Sequence, residues 1–257
     1  MLDKTGQIPL YIQLKDLIQK KIEDGTYPED TAIPSERELC NMYGVSRITV
    51  RQAIHLATVD GLLVKRQGKG TYVASKKIVQ ALEQITLFDK TMTGLGLFPR
   101  TSVIEVKRVS ATDRIYTALD VNKRTPLVRI VLLGMADSEP LAVYISYFRP
   151  ELGALMARRA TEWGAEDKPF TSFDLYQGIS EDLSPVRARQ TFEAKLASGR
   201  VARYLRLDQS AALFVVESLV EAKNDIPVEF RTAYYRADRY KFSITREVTT
   251  QETAQNL

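Results

Sequence analysis

The 257-residue sequence predicts an α+β protein of two domains, because helical spacing dominates residues 1–75 and strand-like runs dominate residues 85–245. In the larger domain, runs of β-branched and aromatic residues alternate irregularly with helical stretches. That pattern is typical of a mostly antiparallel sheet with helices packed on it. A short linker, 76–84, is predicted between the domains, and a polar tail, 246–257, follows them.

Three helices are predicted in the N-terminal domain. The first covers 9–22, where apolar residues recur at spacings of three and four and a proline opens the first turn. The second begins after Ser35, because Ser35 and Glu38 have the spacing of a capping box, and it ends at Gly44. The third covers 46–60. Two short helices joined by a glycine turn are the layout of a helix-turn-helix.

A β-hairpin with a basic tip is predicted after the third helix. The strand-like runs 62–64 and 71–73 flank the segment KRQGKG, so the hairpin would form a wing. Residues 44–77 contain seven Lys or Arg against Asp60 alone, whereas residues 1–43 contain five against eight acidic residues. This distribution favours one face directed at a polyanion, and a solvated charged surface is the alternative.

The start of the third helix carries side chains suited to reading DNA: Ser46, Arg47, Thr49, Arg51 and Gln52. Two parallel donors of an arginine match the O6 and N7 acceptors of guanine in the major groove. Hydroxyls, Arg51, Gln52 and the wing residue Lys69 suit phosphate oxygens. Gly68 has no side chain, which allows the wing backbone to enter the minor groove.

Five motifs in the first 75 residues resemble the GntR family of winged-helix repressors: PLY at 9–11, IPSEREL at 33–39, YGVSRITVRQA at 43–53, DGLL at 60–63 and QGKGTYV at 67–73. The resemblance implies that Arg37 and Arg47 read bases and that Gly68 lies in the minor groove. Ser35, which precedes the second helix, completes the predicted DNA-binding set. A winged helix used only for protein contacts is the alternative.

The larger domain contains six predicted strands, 102–109, 127–136, 141–148, 186–197, 213–223 and 227–236, and four predicted helices, 112–120, 150–162, 172–182 and 199–207. This order, together with the motifs ADSEPLAV at 136–143, SYFRP at 146–150, PVEF at 227–230 and YYRADRYKF at 234–242, resembles the UTRA effector domain of the HutC subfamily of GntR regulators. The resemblance implies a fold similar to chorismate lyase, a homodimer built through these domains and a pocket for a small effector.

Some pocket residues of sugar-phosphate-binding UTRA domains have matches in this chain. Ser172, Glu229 and Tyr235 match a serine at a helix start and a glutamate and tyrosine on the last strands. The chain departs from that pattern at four other positions: Leu132 and Gly134 replace two arginines, Tyr144 a glutamate and Asp174 a tyrosine. Without the arginine pair, a sugar phosphate is a less favoured effector.

An organic acid is the effector that we predict instead. Arg187 and Arg189 lie two residues apart, so they share one face of a strand and could receive a carboxylate. The alternative is a solvated strand face together with Glu193. Tyr144 and Phe173 could stack on a flat ring, or they could belong to the core.

Composition limits the other functions. The single cysteine, Cys40, is interpreted as a small buried hydrophobe, and with the single histidine, His55, it cannot supply a cysteine–histidine metal cluster, so no metal or cofactor is predicted. No apolar run is long enough for a transmembrane helix and no secretory signal is evident, so we expect a cytoplasmic protein associated with the nucleoid.

The predicted function is a transcriptional repressor, not an enzyme, that binds a palindromic operator as a homodimer and is modulated by its effector. Nucleophile triads usually need a histidine, and His55 lies in the third helix. A C-terminal domain with lyase-like activity and an effector-blind DNA-binding protein are the alternatives.

Overall fold

The computed structural model describes residues 2–3, 7–66, 68–74, 77–82 and 88–246. The predicted tail from residue 247 onward, both ends of the predicted linker and Gln67 lie outside the described residues. The chain divides into two compact units, Met1–Lys76 and Lys77–Leu257, which are described separately. In the part of the chain that the structure describes, no helix is long and apolar enough to cross a membrane.

The N-terminal unit begins with three helices, α1 (Leu10–Glu23), α2 (Glu36–Tyr43) and α3 (Arg47–Val59), as the sequence predicts. Each helix contributes side chains with at most 1% exposure to one core: Leu14 and Ile18, Leu39, and Val50, Ala53, Ile54 and Ala57. Burial of these apolar faces, more than helix propensity, holds three short helices together.

A left-handed glycine makes the turn between α2 and α3. Gly44 has φ of 60°, a conformation that costs glycine little, and its N–H donates to the carbonyl of Cys40 at 2.9 Å. Cys40 is half-buried at the edge of the core, which makes it less buried than predicted. Ser46 then caps α3, since its Oγ accepts from the N–H of Thr49 at 3.1 Å.

The predicted wing is a two-stranded antiparallel hairpin of β1 (Leu63–Arg66) and β2 (Gly70–Val73). Its stem is anchored because Leu63 and Val73, which face each other, are buried in the core of the three helices. The N–H of Ile33, just before α2, donates to the carbonyl of Thr71 at 2.9 Å. The hairpin therefore projects from a fixed base.

The C-terminal unit contains eight described strands, β3 (Ile78–Ala81), β4 (Pro99–Val109), β5 (Leu127–Ala136), β6 (Glu139–Phe148), β7 (Arg187–Leu196), β8 (Ala212–Glu221), β9 (Pro227–Arg236) and β10 (Tyr240–Ser243). Six of them form one sheet in the order β4-β5-β6-β9-β8-β7, with every neighbouring pair antiparallel. The predicted mostly antiparallel sheet is confirmed.

Helices cover both faces of this sheet: α4 (Phe88–Gly94), α5 (Asp113–Ala118), α6 (Pro150–Ala165) and α7 (Gly199–Tyr204). On one face α4 and α6 pack through Met92 and Met156 on a core that includes Phe148. On the other face α5 and α7 bury smaller clusters around Leu119 and Leu205. Two layers of helices thus enclose the sheet.

Two predicted segments have a different structure, and neither α4 nor β10 was predicted from the sequence. The described part of the predicted linker contains β3, which pairs in parallel with β10, so Ile78 lies opposite Tyr240. The predicted helix 172–182 is instead two 3₁₀ turns, Asp174–Tyr176 and Glu181–Leu183. Gly178, with φ of 67°, separates these turns and stops a continuous helix.

Candidate DNA-binding surface and effector pocket

One side of α3 is directed away from the core and carries the predicted DNA-reading residues. Arg47, Arg51 and Gln52 are exposed, as are Ile48 and His55, whereas Thr49 is half-buried. With 100° per residue, the line through Ile48 and Gln52 lies opposite the buried line of the helix. The first two turns of α3 are therefore free to enter a groove.

Several of these polar side chains are bound within the protein. The Nε of Arg51 donates to Oε2 of Glu36 at 2.8 Å, which ties α3 to the first turn of α2. Glu36 lies between Ser35 and Arg37 in the sequence. Ser35 itself caps α2: its N–H donates to Glu38 Oε2 at 2.7 Å, and its Oγ accepts from the N–H of Glu38 at 3.3 Å. Arg37 is exposed.

The wing tip is basic, and one of its cations is held within the N-terminal unit. Lys65, Gly68 and Lys69 are exposed, and Gly68 has φ of 70°. Arg66, at the tip end of β1, is held within the N-terminal unit, because its Nη2 pairs with Oδ1 of Asp30 at 2.8 Å and its guanidinium lies 4.2 Å from the ring centroid of Tyr72. The tip lysines are thus the wing cations left to meet phosphates.

The C-terminal unit holds a pocket on the face of the sheet that carries α4. Its lining is mostly aromatic and apolar, from strands β3, β6, β7, β8, β9 and β10, helix α4 and the segment before the first 3₁₀ turn: Gln80, Ala81, Leu82, Phe88, Thr91, Met92, Tyr144, Thr171, Phe173, Gln190, Phe192, Val216, Arg231, Tyr235, Tyr240 and Phe242. The cavity measures about 40 Å³, room for a few water molecules.

Arg231 is the charged side chain in this lining. It is only 4% exposed, and its guanidinium carbon lies 4.2 Å from the ring centroid of Phe173. Nη1 donates to Oγ of Ser172 at 3.3 Å, while the buried Nε has no hydrogen-bond partner among the described residues. A buried guanidinium with an unused N–H is costly unless an anion meets it, so Arg231 is suited to hold one.

Glu229 lies deeper, on the same face of β9 as Arg231. It is fully buried, and its Oε1 accepts from Oγ of Ser146 at 2.6 Å. Its Oε2 has no hydrogen-bond partner among the residues described, and neither has the buried hydroxyl of Tyr176. Burial raises the pKa of Tyr176 well above its ordinary value, and the nearby carboxylate of Glu229 raises it further. These groups form a polar cluster behind the pocket wall.

Tyr144 and Tyr235, both predicted to contact the effector, line the pocket. Their rings meet edge to face with centroids 5.8 Å apart. Burial raises the pKa of both phenols above the ordinary value, so both are protonated at neutral pH. Ser172 contacts the pocket through Arg231, whereas Asp174 points its Oδ2 to the N–H of Thr171 at 2.7 Å and caps a turn.

The structure places Arg187 and Arg189 outside the pocket, which corrects their predicted location. Gln190 and Phe192 of β7 line the pocket, and side chains alternate along a strand, so Arg187 and Arg189 point from the opposite face. Both arginines pair with the buried carboxylate of Glu221, Arg187 at 2.9 Å and Arg189 at 2.5 Å. Their role here is to join β7 to β8.

The two positions at which the resemblance predicts arginines, Leu132 and Gly134, are built into the core. Leu132 is 1% exposed and lies opposite Tyr144 in the sheet. At Gly134 a Cβ atom would lie 3.2 Å from the ring of Phe88, so the absence of a side chain lets that ring approach β5. Arg231 is the functional candidate that the sequence analysis missed, although it shares the strand face of Glu229 and Tyr235 by simple alternation.

A helix-turn-helix with a wing, followed along the chain by a domain with a lined pocket, defines the class of this protein: a DNA-binding transcriptional regulator with an effector-binding domain. Residues 10–73 match the gntR family of bacterial regulatory proteins, and residues 94–241 match the UTRA domain. The chain belongs to the GntR family and carries a UTRA domain, which confirms the predicted HutC-type regulator.

Known proteins of this type resemble the chain over nearly its whole length. The HTH-type transcriptional repressor NagR of Bacillus subtilis is 28% identical over 242 residues, 94% of this chain and 96% of NagR. An uncharacterized HTH-type transcriptional regulator of Rhizobium meliloti, RB1450, is 30% identical over 95% of this chain and 98% of that protein. The crystal structure of PhnF from Mycobacterium smegmatis, 22% identical, has the same fold with a TM-score of 0.61 over 93% of this chain and 99% of PhnF. The family, NagR and RB1450 are described as regulators rather than enzymes.

Proposed function

We propose that this regulator is a cytoplasmic repressor that binds a palindromic operator as a homodimer and releases it when an organic acid occupies the UTRA pocket. The observation that carries the DNA-binding half is the exposed start of α3, with Arg47 and Gln52 directed away from the core. The relative NagR is named a repressor, which supports repression as the outcome.

The operator is tested by selecting duplexes from a random pool with the purified full chain. Two copies related by a two-fold axis would favour inverted half-sites whose centres are about 34–36 Å apart, or a multiple of that distance. Arg47→Ala is expected to cost roughly 1–3 kcal/mol of specific binding and to relax base preference at one position. Sedimentation of the protein–DNA complex counts the chains. One chain per selected duplex, or no enriched duplex, would contradict the proposal.

The effector half rests on Arg231. An effector carboxylate would give this buried guanidinium an anion, which no ion pair among the described residues supplies. The aromatic lining would pack against a flat or ring-shaped body after moving apart, because the present cavity of about 40 Å³ is too small for a ring. Leu132 and Gly134 leave β5 without cations toward the pocket, so the single arginine suits a carboxylate better than a dianionic phosphate. Tyr144, Ser172 and Tyr235 are the further effector contacts that we propose, with Glu229 behind them.

Thermal unfolding against a panel of organic acids, aromatic acids and sugar phosphates tests this assignment. A ligand at a hundred times its Kd should stabilise the protein by roughly 2.7 kcal/mol. Arg231→Met should abolish the response, whereas Arg189→Met, the same change on the opposite strand face, should preserve it. A response lost in Arg189→Met and kept in Arg231→Met would restore the original sequence interpretation. The same ligand should then release the selected operator from the parent protein and from Arg189→Met, but not from Arg231→Met.

A further inference from the structure

The outermost line of α3 carries an apolar side chain where DNA contact is expected. Ile48, the second residue of α3, follows Arg47 and is 71% exposed. Gln52 follows four residues later on the same line, and the fully buried Val50 and Ala53 lie on the other side of the helix. Ile48 and Gln52 are thus the central pair on the face of α3 that points away from the core of the N-terminal unit.

Neighbouring side chains of the first two turns are already engaged. Arg51 is paired with Glu36, and Thr49 is bound at the cap by Ser46. Among the described residues, no hydrogen bond or ion pair involves the side chain of Arg47 or Gln52. An isoleucine in this position is also stiff, because branching at Cβ leaves it one strongly preferred rotamer in a helix. Ile48 therefore presents a fixed apolar surface between two uncommitted polar groups.

We propose that Ile48 and Gln52 together select A·T pairs in each half-site of the operator, an inference that rests on the proposed function. In the major groove the 5-methyl group of thymine is the apolar feature of the base edges, and Ile48 would pack on it. The amide of Gln52 would accept from N6 and donate to N7 of adenine, a bidentate contact specific to that base. This moves Gln52 from phosphate binding, its predicted use, to base reading.

The thymine methyl can be removed without changing base pairing, which makes the contact measurable. After an operator has been selected with the full chain, each thymine in turn is replaced by deoxyuridine in both half-sites, and Kd is measured for the parent protein. One position should weaken binding about fourfold for each half-site, the factor that corresponds to one buried methyl-sized group. In Ile48→Ala the same replacement should have almost no effect on Kd.

Val59→Ala is the matched control, because Val59 is 68% exposed and lies on the same line of α3, about 16 Å further along the helix. It should keep the parental response to deoxyuridine. Replacing adenine by 7-deazaadenine should likewise weaken binding of the parent and leave Gln52→Ala unaffected. Unfolding curves of the variants, all at exposed positions, check that each one folds.

The outcomes separate the inference from the function on which it rests. If no duplex is enriched, the proposed function fails and the inference fails with it. If a duplex is enriched but deoxyuridine changes the Kd of Ile48→Ala as much as that of the parent at every thymine position, the proposed operator binding is supported and the readout by Ile48 is overturned. The readout by Ile48 is supported if one thymine position loses its sensitivity to deoxyuridine in Ile48→Ala and keeps that sensitivity in Val59→Ala.

Discussion

Ser35 offers a test between two uses of one side chain, phosphate contact and helix capping. Its Oγ accepts from the Glu38 N–H at a rather long 3.3 Å, while Glu38 Oε2 accepts from both the N–H and the hydroxyl of Ser35 at 2.7 Å. Removing such a cap typically costs about 0.5–2 kcal/mol. We expect Ser35→Ala to cost about 1 kcal/mol, because the backbone contact is long but the return contacts are short.

The magnitude converts to a melting shift. In a domain of 60–100 residues, 1 kcal/mol lowers Tm by roughly 4–8 °C, and the helical N-terminal unit is of that size. Circular dichroism of the full chain, with operator affinity measured at a temperature well below the transition, separates the two uses. A lower operator affinity of Ser35→Ala without a change in Tm would refute the capping argument and indicate that Ser35 contacts a phosphate.

The same capping box predicts a pH dependence with a definite sign. Hydrogen bonds from the hydroxyl and the N–H of Ser35 lower the pKa of Glu38. A carboxyl whose pKa is lower in the folded state contributes stability above its unfolded pKa and loses it as pH falls through the folded value. Stability of the N-terminal unit should therefore decline in acid below about pH 4.5. Glu38→Gln, which keeps a capping group but has no charge, should reduce this decline.

Three further predictions concern packing and charge. Leu39→Ala, at a fully buried position of α2, should destabilise the N-terminal unit by roughly 2–5 kcal/mol in chemical denaturation, and the exposed Met42→Ala by less than about 0.5 kcal/mol. Gly153→Ala should lower Tm, because its Cβ would lie 2.5 Å from Cβ of Val128, and overpacking of about 1–3 kcal/mol outweighs about 1 kcal/mol of helix propensity. A raised Tm would contradict that contact. Lys69→Ala should weaken binding to all duplexes alike and reduce the slope of log K against log salt concentration by about one. An unchanged slope would show that Lys69 does not contact a phosphate.

Local signals were sufficient for the N-terminal unit. Cap residues, the turn glycine and the two flanks of the wing are all encoded within a few residues of where they act, so α2, α3 and the hairpin follow from spacing alone. The sheet of the C-terminal unit was also predictable, since its long strands are rich in β-branched and aromatic residues. Pairing of β3 with β10 joins residues about 160 positions apart, and no local pattern indicates it.

The pocket shows where sequence reasoning stopped. Alternation correctly put Arg187 and Arg189 on one face of β7, but only the register of the whole sheet decides which face meets the pocket. Arg231 was within reach by the same rule, because it lies between Glu229 and Tyr235 at even spacing. Its burial could not be known from the sequence, since a strand arginine is more often solvated.

The two recognition surfaces differ in how freely they can change over evolutionary time. On α3 the residues that face outward share no position with those that build the core, so substitutions at 48 and 52 should alter stability by less than about 0.5 kcal/mol. In the pocket, Tyr144, Arg231 and Tyr235 are themselves buried among core residues, and exchanging one to admit a new ligand disturbs the packing of the sheet. On the assignments proposed above, such a regulator could acquire a new operator by single substitutions that leave its stability unchanged, whereas a new effector would demand compensating changes elsewhere in the sheet.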